Sequence, residues 1–186
     1  MNDLMLDLET LSTRHDACIL SIGACLFDIE TGAIGETFHR FIAVDDSETR
    51  GHISFDTIKW WMQQSDEARS LLFKNKQSID TETALLDLCA FVPRNKSLKV
   101  WSNGATFDLV IIRNDMDRQS LCLTWQYWQE RDVRTMVDIA ERLTGINTAK
   151  TVSFAGVKHD ALADAVHQAN YVSQAYQITQ SKIIAN

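Results

Sequence analysis

Proline is nearly absent: Pro93 is the only one in 186 residues. With no low-complexity tract either, long disordered linkers are excluded. Long apolar runs are also missing. No stretch approaches the ~18 consecutive apolar residues of a membrane span, and the opening Met-Asn-Asp-Leu-Met lacks the basic-then-apolar order of a leader. The expectation is a protein with no membrane partner, located in the cytoplasm. Cysteine is sparse. Cys18, Cys25, Cys89 and Cys122 show no C-x-x-C spacing and have apolar neighbours, so buried free thiols are expected rather than zinc sites or disulfides. Basic charge is in deficit, with 18 Lys and Arg against 25 Asp and Glu and a net charge of −7. Such a balance does not by itself suggest a nucleic-acid partner, because phosphate contacts come from Lys and Arg. The field that matters is local to a cleft, however, and bound divalent ions would offset part of the deficit.

What is present is ordinary for a globular chain, with 45% hydrophobic and 23% charged residues. One domain over residues 1–186 is expected, with a sizeable core. Residues 5–10 read as a strand whose alternation puts Leu4, Leu6 and Leu8 on one face and Met5, Asp7 and Glu9 on the other. Two carboxylates then leave one face with Cβ atoms roughly 7 Å apart. That arrangement suits shared hard divalent cations, although a solvated acidic face has the same pattern. Strands follow at 19–28 and 36–44, joined by a turn at Glu30-Thr31-Gly32, so three antiparallel strands open the domain. Residues 45–52 form a polar loop.

A helix is expected from Ser54 towards Phe73. Trp60 and Trp61 diverge by ~100° around it, so one faces the core and the other a groove where an indole can stack on a base. The adjacency leaves open which does which, and Trp61 is carried as a candidate substrate contact. Residues 78–92 form a second helix, 97–102 a strand, and Asn103-Gly104 turns the chain into a helix over 105–116 that carries Asp108. In isolation Asp108 reads as an acidic residue favouring the helix dipole. A short strand at 121–125 is followed at 127–135 by Arg131, Asp132 and Arg134, which either hold a phosphate or solvate a short helix. Residues 136–143 are helical with Gly145 as the stop, and a long helix begins at Ala161.

His159 and Asp164 are five residues apart, a rotation of ~140° that prevents both from serving one site on regular helix. With Asp160 as the N-cap, His159 stays in the preceding loop, free to swing, and Asp164 is fixed one turn into the helix. An imidazole beside a metal-holding carboxylate suits a general base acting on water.

Asp7-Leu8-Glu9, Asn103-Gly104-Ala105-Thr106-Phe107-Asp108 and His159 through Asp164, in this order, resemble the three motifs of the DEDDh 3'-5' exonucleases. Trp60-Trp61, the Arg131-to-Thr135 cluster and the chain length look like the small bacterial and phage branch, related to adenylate-preferring exoribonucleases and phage exonuclease A proteins. The resemblance implies an α/β ribonuclease H-like fold: a mixed five-stranded sheet, first three strands antiparallel, flanked by helices. It implies a metal-dependent hydrolase that trims single-stranded RNA or DNA from the 3' end to nucleoside 5'-monophosphates.

By the same resemblance Asp7, Glu9, Asp108 and Asp164 hold two divalent ions, Mg²⁺ or Mn²⁺, and His159 deprotonates the attacking water. Thr10 and Leu11 lie under the last nucleotide, with Asn103, Phe107, Arg131, Arg134 and Trp61 as further substrate contacts. Leu11-Ser12 departs from the Thr-Gly that many relatives carry there. Alternatives are a ribonuclease H-type endonuclease, or a catalytically weak or polymerase-associated binding module. A homodimer is expected from the surplus of large apolar residues Trp60, Trp61, Trp125, Tyr127 and Trp128, and from dimerisation in similar proteins.

Overall fold

The first strand, β1 (Asp3–Thr10), is buried along most of its length because it lies between two others in the sheet. In this computed structural model, which describes residues 1–43, 51–73, 75 and 77–184, β1 pairs antiparallel with β2 (Ile19–Phe27) and parallel with β4 (Lys99–Ser102). β3 (Ile34–Phe41) and β5 (Glu130–Asp132) close the two edges, giving the order β3-β2-β1-β4-β5. The protein therefore has the mixed five-stranded, ribonuclease H-like sheet with its first three strands antiparallel. Val44, the expected end of the third strand, lies outside the described residues, as does the expected loop at 45–50.

Alternation along β1 sorts the side chains into two cores. Leu4, Leu6 and Leu8 pack with Leu85 and Leu88 of α3 (Thr81–Phe91) and Leu109, Ile111 and Ile112 of α4 (Asp108–Arg118). Met5 faces the other way, with Trp101, Val133 and Val137 of α5 (Val133–Thr144) and Ala165, Ala169 and Val172 of a long last helix. Asp7 and Glu9 share the face of Met5, so the carboxylates project beneath that helix.

Three expectations about local structure are corrected. The helix expected over 54–73 is two, α1 (Phe55–Met62) and α2 (Asp66–Phe73), broken at Gln63-Gln64-Ser65. The strand expected at 121–125 does not form. The fifth strand is Glu130–Asp132, inside the charged cluster read as holding a phosphate or solvating a short helix, because parallel pairing with Val100–Ser102 outweighs its charged sequence. The four cysteines are free, but only Cys18 and Cys25 are buried; Cys89 is half-buried and Cys122 exposed. Of the aromatics thought surplus to the core, Trp61 and Trp125 are inside it. Among the described residues no helix is long and apolar enough to cross a membrane.

The last helix runs from Ala161 to Ile184, after a short α6 (Thr148–Thr151), and is labelled α7. Its first turn is pressed against β2 at Gly23, where a Cβ would fall 2.1 Å from the carbonyl carbon of Ala161 and 2.3 Å from the backbone nitrogen of Leu162. No side chain fits between them. Gly23→Ala should therefore lift the helix start off the sheet, costing about 1–3 kcal/mol in stability and lowering any activity that needs Asp164 in place. Urea unfolding would read the first effect, and an unchanged midpoint would show that the helix yields freely.

Candidate active site

Asp7 and Glu9 enter from the C-terminal end of β1, and Asp108 from the first position of α4, immediately after the β4 turn. Asp164 enters from the first turn of α7 and His159 from the residue before its cap. The cap is Asp160, whose Oδ1 accepts from the Ala163 backbone N–H at 2.9 Å. The imidazole is more restrained than a free loop residue. His159 has a left-handed backbone, φ 64°, its N–H donates to Asp164 Oδ2 at 2.8 Å, and its ring meets those of Trp60 and Trp61 edge-on at 4.8 and 6.0 Å. The expected freedom to swing gives way to a backbone tied to Asp164 and a ring packed edge-on against the Trp60–Trp61 pair.

A carboxylate oxygen of Glu9, one of Asp164 and a ring nitrogen of His159 lie within 4.8 Å of one another. Glu9 is 7% exposed and Asp108 3%. Burial, then repulsion from Asp164, Asp108 and Asp160, pushes the Glu9 carboxyl up to about 9. Burial raises Asp108 to about 7 against hydrogen bonds that lower it, and raises Asp164 to about 6 against the His159 N–H. Asp7 is raised well above the usual range by burial, then by Asp108 and Glu9. Burial lowers the His159 imidazole, and nearby Lys158 adds to this. Among the described residues none of the four carboxylates forms an ion pair.

Two residues hold the site together in roles the sequence does not assign them. Gln168, one turn beyond Asp164, donates from Nε2 to Asp7 Oδ1 at 2.7 Å; its i+4 spacing on the same helix face is the signal that could have found it. Asp132 caps α5 through the Thr135 N–H at 2.8 Å, and its other oxygen accepts from the Ala105 N–H at 3.0 Å. It thereby ties down the loop that delivers Asp108.

The expected substrate contacts divide among several places. Thr10, Phe107, Trp60 and Trp61 line a cleft of about 440 Å³ that opens beside Glu9. Trp60, 41% exposed, is the open face of the pair, whereas Trp61 is 2% exposed and donates from Nε1 to the Thr10 carbonyl at 2.9 Å. Leu11 lies in a neighbouring apolar hollow with Ile58, Trp61 and Met62. Asn103 and Arg134, linked by a 3.3 Å hydrogen bond, border a third hollow with Tyr171. Arg131 is on β5, its Nη1 donating to the Trp128 and Glu130 carbonyls.

Comparison with known proteins agrees with this architecture. A protein named exodeoxyribonuclease from Enterobacteria phage T4 is 23% identical, with 88% of this chain and 84% of that protein covered. The nuclease domain of 3'hExo, described as a DEDDh family member bound to rAMP, superposes with a TM-score of 0.63 at 10% identity, over 94% of this chain and 91% of that one. Escherichia coli ExoI, in a zinc-bound complex with single-stranded DNA, superposes at 0.63 and 17% identity, over 96% of this chain but 40% of its own. Residues 2–176, including every motif residue above, match the 3'-5' exoribonuclease Rv2179c-like domain, and the chain belongs to that family of 3'-5' exonucleases.

Proposed function

We propose that this enzyme removes nucleotides singly from the 3' end of a single strand, releasing nucleoside 5'-monophosphates, with two divalent cations held by Asp7, Glu9, Asp108 and Asp164. The convergence of Glu9, Asp164 and His159 carries the reading. The four carboxylates form an all-oxygen donor set that suits hard ions such as Mg²⁺ or Mn²⁺, with His159 beside it as a base. Four crowded carboxylates without an ion-pair partner among the described residues need positive charge from elsewhere. A buried Gln168 Oε1 without a hydrogen-bond partner among the described residues, on the side chain that holds Asp7, marks the same unsatisfied polarity. When bound, the cations stabilise charge on the entering and departing oxygens of an in-line displacement.

The protein's own groups supply the rest. His159, its pKa lowered, is neutral near pH 7 and can accept the proton of the attacking water. Asp164 orients it by taking the His159 backbone N–H. The open face of Trp60 and the ring of Phe107 form the walls that receive the terminal nucleoside, and a terminal base must leave its stack to enter. Both RNA and DNA are candidate strands, the family being described as exoribonuclease and the phage relative as exodeoxyribonuclease. The free thiols, with Cys122 exposed, suit a reducing cytoplasm.

Single- and double-stranded RNA and DNA labelled at the 5' end, with a circular single strand as control, test the reading. A ladder shortening from the 3' end and an intact circle are expected with Mg²⁺ or Mn²⁺, and nothing with EDTA. Cleavage of the circle would make the enzyme an endonuclease.

His159→Ala should slow turnover roughly 10²–10⁴-fold while leaving metal binding, read by calorimetry, intact. Asp7→Asn, Glu9→Gln, Asp108→Asn and Asp164→Asn should each abolish most turnover yet keep metal-free stability, raising it at the alkaline end where the carboxyl would otherwise ionise. Near-full activity in two of them would remove the assignment.

In metal-free protein the carboxyls titrating at about 6, 7 and 9 bind more protons folded than unfolded. Their contribution to stability is thus greatest near their unfolded values and is lost as pH rises towards 9. The melting temperature in EDTA should fall between about pH 5 and about pH 8, and Mg²⁺ or Mn²⁺ should recover it at the upper end by binding the folded state. A flat profile in EDTA would contradict the electrostatic account.

A further inference from the structure

Six arginines among the described residues have carboxylate partners: Arg14, Arg40, Arg69, Arg113, Arg118 and Arg142. The other three, Arg94, Arg131 and Arg134, have none among the described residues, and all three lie along the β4–β5 side of the sheet. In a chain of net charge −7, these guanidinium groups, interleaved with Glu130 and Asp132, are cations left without an ion pair among the described residues. Arg131 pairs in register with Trp101, and Trp101 with Met5. Arg131 therefore shares the sheet face of Asp7 and Glu9, two inter-strand spacings of about 4.8 Å from β1. Arg134 follows in the first turn of α5, where its charge reaches Asp108.

Away from the carboxylates, β5 begins at a 3-10 turn, Tyr127–Gln129, which turns Trp128 outward at 59% exposure. The indole borders a hollow of about 580 Å³ together with Arg94 and Lys96. Arg131 ties the two ends of the edge together through its bond to the Trp128 carbonyl, 2.8 Å. Cations in a row with an exposed indole at the end are the components of a sequence-tolerant single-strand track, phosphates on the cations and a base on the ring.

We propose that the β5 edge, from Arg134 through Arg131 to Trp128, Arg94 and Lys96, binds the part of a single strand lying upstream of its 3'-terminal nucleotide. This rests on the exonuclease reading of the carboxylate site and extends it from the terminal nucleotide to the strand behind it. The enzyme then grips long strands more tightly than short ones, and the difference is electrostatic and aromatic.

The test uses the full chain, Trp128→Ala and the double variant Arg94→Ala with Lys96→Ala. Two measurements are made: turnover of a dinucleotide with Mg²⁺, and binding of a fluorescent single strand of about a dozen nucleotides with Ca²⁺. Trp128→Ala is expected to weaken binding of the long strand roughly 5- to 150-fold and leave dinucleotide turnover unchanged. The double variant is expected to reduce the salt dependence of long-strand binding, by roughly 0.7 in log–log slope for each phosphate that no longer meets a cation.

Unchanged long-strand affinity in both variants overturns the proposal, while dinucleotide turnover by the parent leaves the site reading standing. A parent that binds the long strand through Trp128 but trims nothing has the reverse meaning. Sedimentation is run in parallel: a dimer that Trp128→Ala converts to monomer, with long-strand affinity unaltered, assigns this face to a second copy and overturns the proposal.

Discussion

The shared burial of four carboxyl groups is the constraint on which the site depends. Asp7, Glu9, Asp108 and Asp164 come from β1, α4 and α7; burial raises all four, and repulsion within the group adds to this at Asp7 and Glu9, the latter reaching about 9. A fold that gathers such groups without pairing them to Lys or Arg stores an unfavourable interaction that cations relieve. Stability and chemistry are thus linked through one charge cluster.

The packing that enforces this crowding is backbone on backbone. α7 begins against β2 at Gly23, so Asp164 is held above the strand face that carries Glu9. Gln168 then takes Asp7, while Asp132 on the far edge holds the loop before Asp108. Three elements distant in sequence are positioned by hydrogen bonds that are themselves remote in sequence. His159 belongs to the same scheme, with its backbone N–H on Asp164 and its ring against Trp60.

Cations without an ion-pair partner among the described residues are found beside β5, where Arg131 stands between Glu130 and Asp132. Net acidity describes the whole chain, yet the arginines without a carboxylate partner among the described residues gather on the β4–β5 side, and one of them, Arg131, shares the sheet face of Asp7 and Glu9. A single-strand enzyme needs this local contrast more than a basic total, because field is felt within about a Debye length of the surface.

Alternation in Leu4 to Glu9 determined by itself that two carboxylates share a strand face, because side-chain period in a strand is a local property. The Asp160 cap and the turn at Asn103-Gly104 were legible for the same reason, being set by neighbouring residues. β5 was not. Glu-Arg-Asp has no strand pattern, and only parallel pairing with Val100–Ser102 makes it one. Nor could helical spacing decide between Trp60 and Trp61: it says that they diverge, and the Thr10 carbonyl decides which is inside. The roles of Gln168 and Asp132 were not legible, because their partners, Asp7 and Ala105, are brought near only by the folded sheet. What the sequence by itself determined was the set of reactive groups and the elements that carry them. Their separations, their shared burial and the restraint on His159 were decided only by tertiary structure, because each depends on groups from different elements meeting in space.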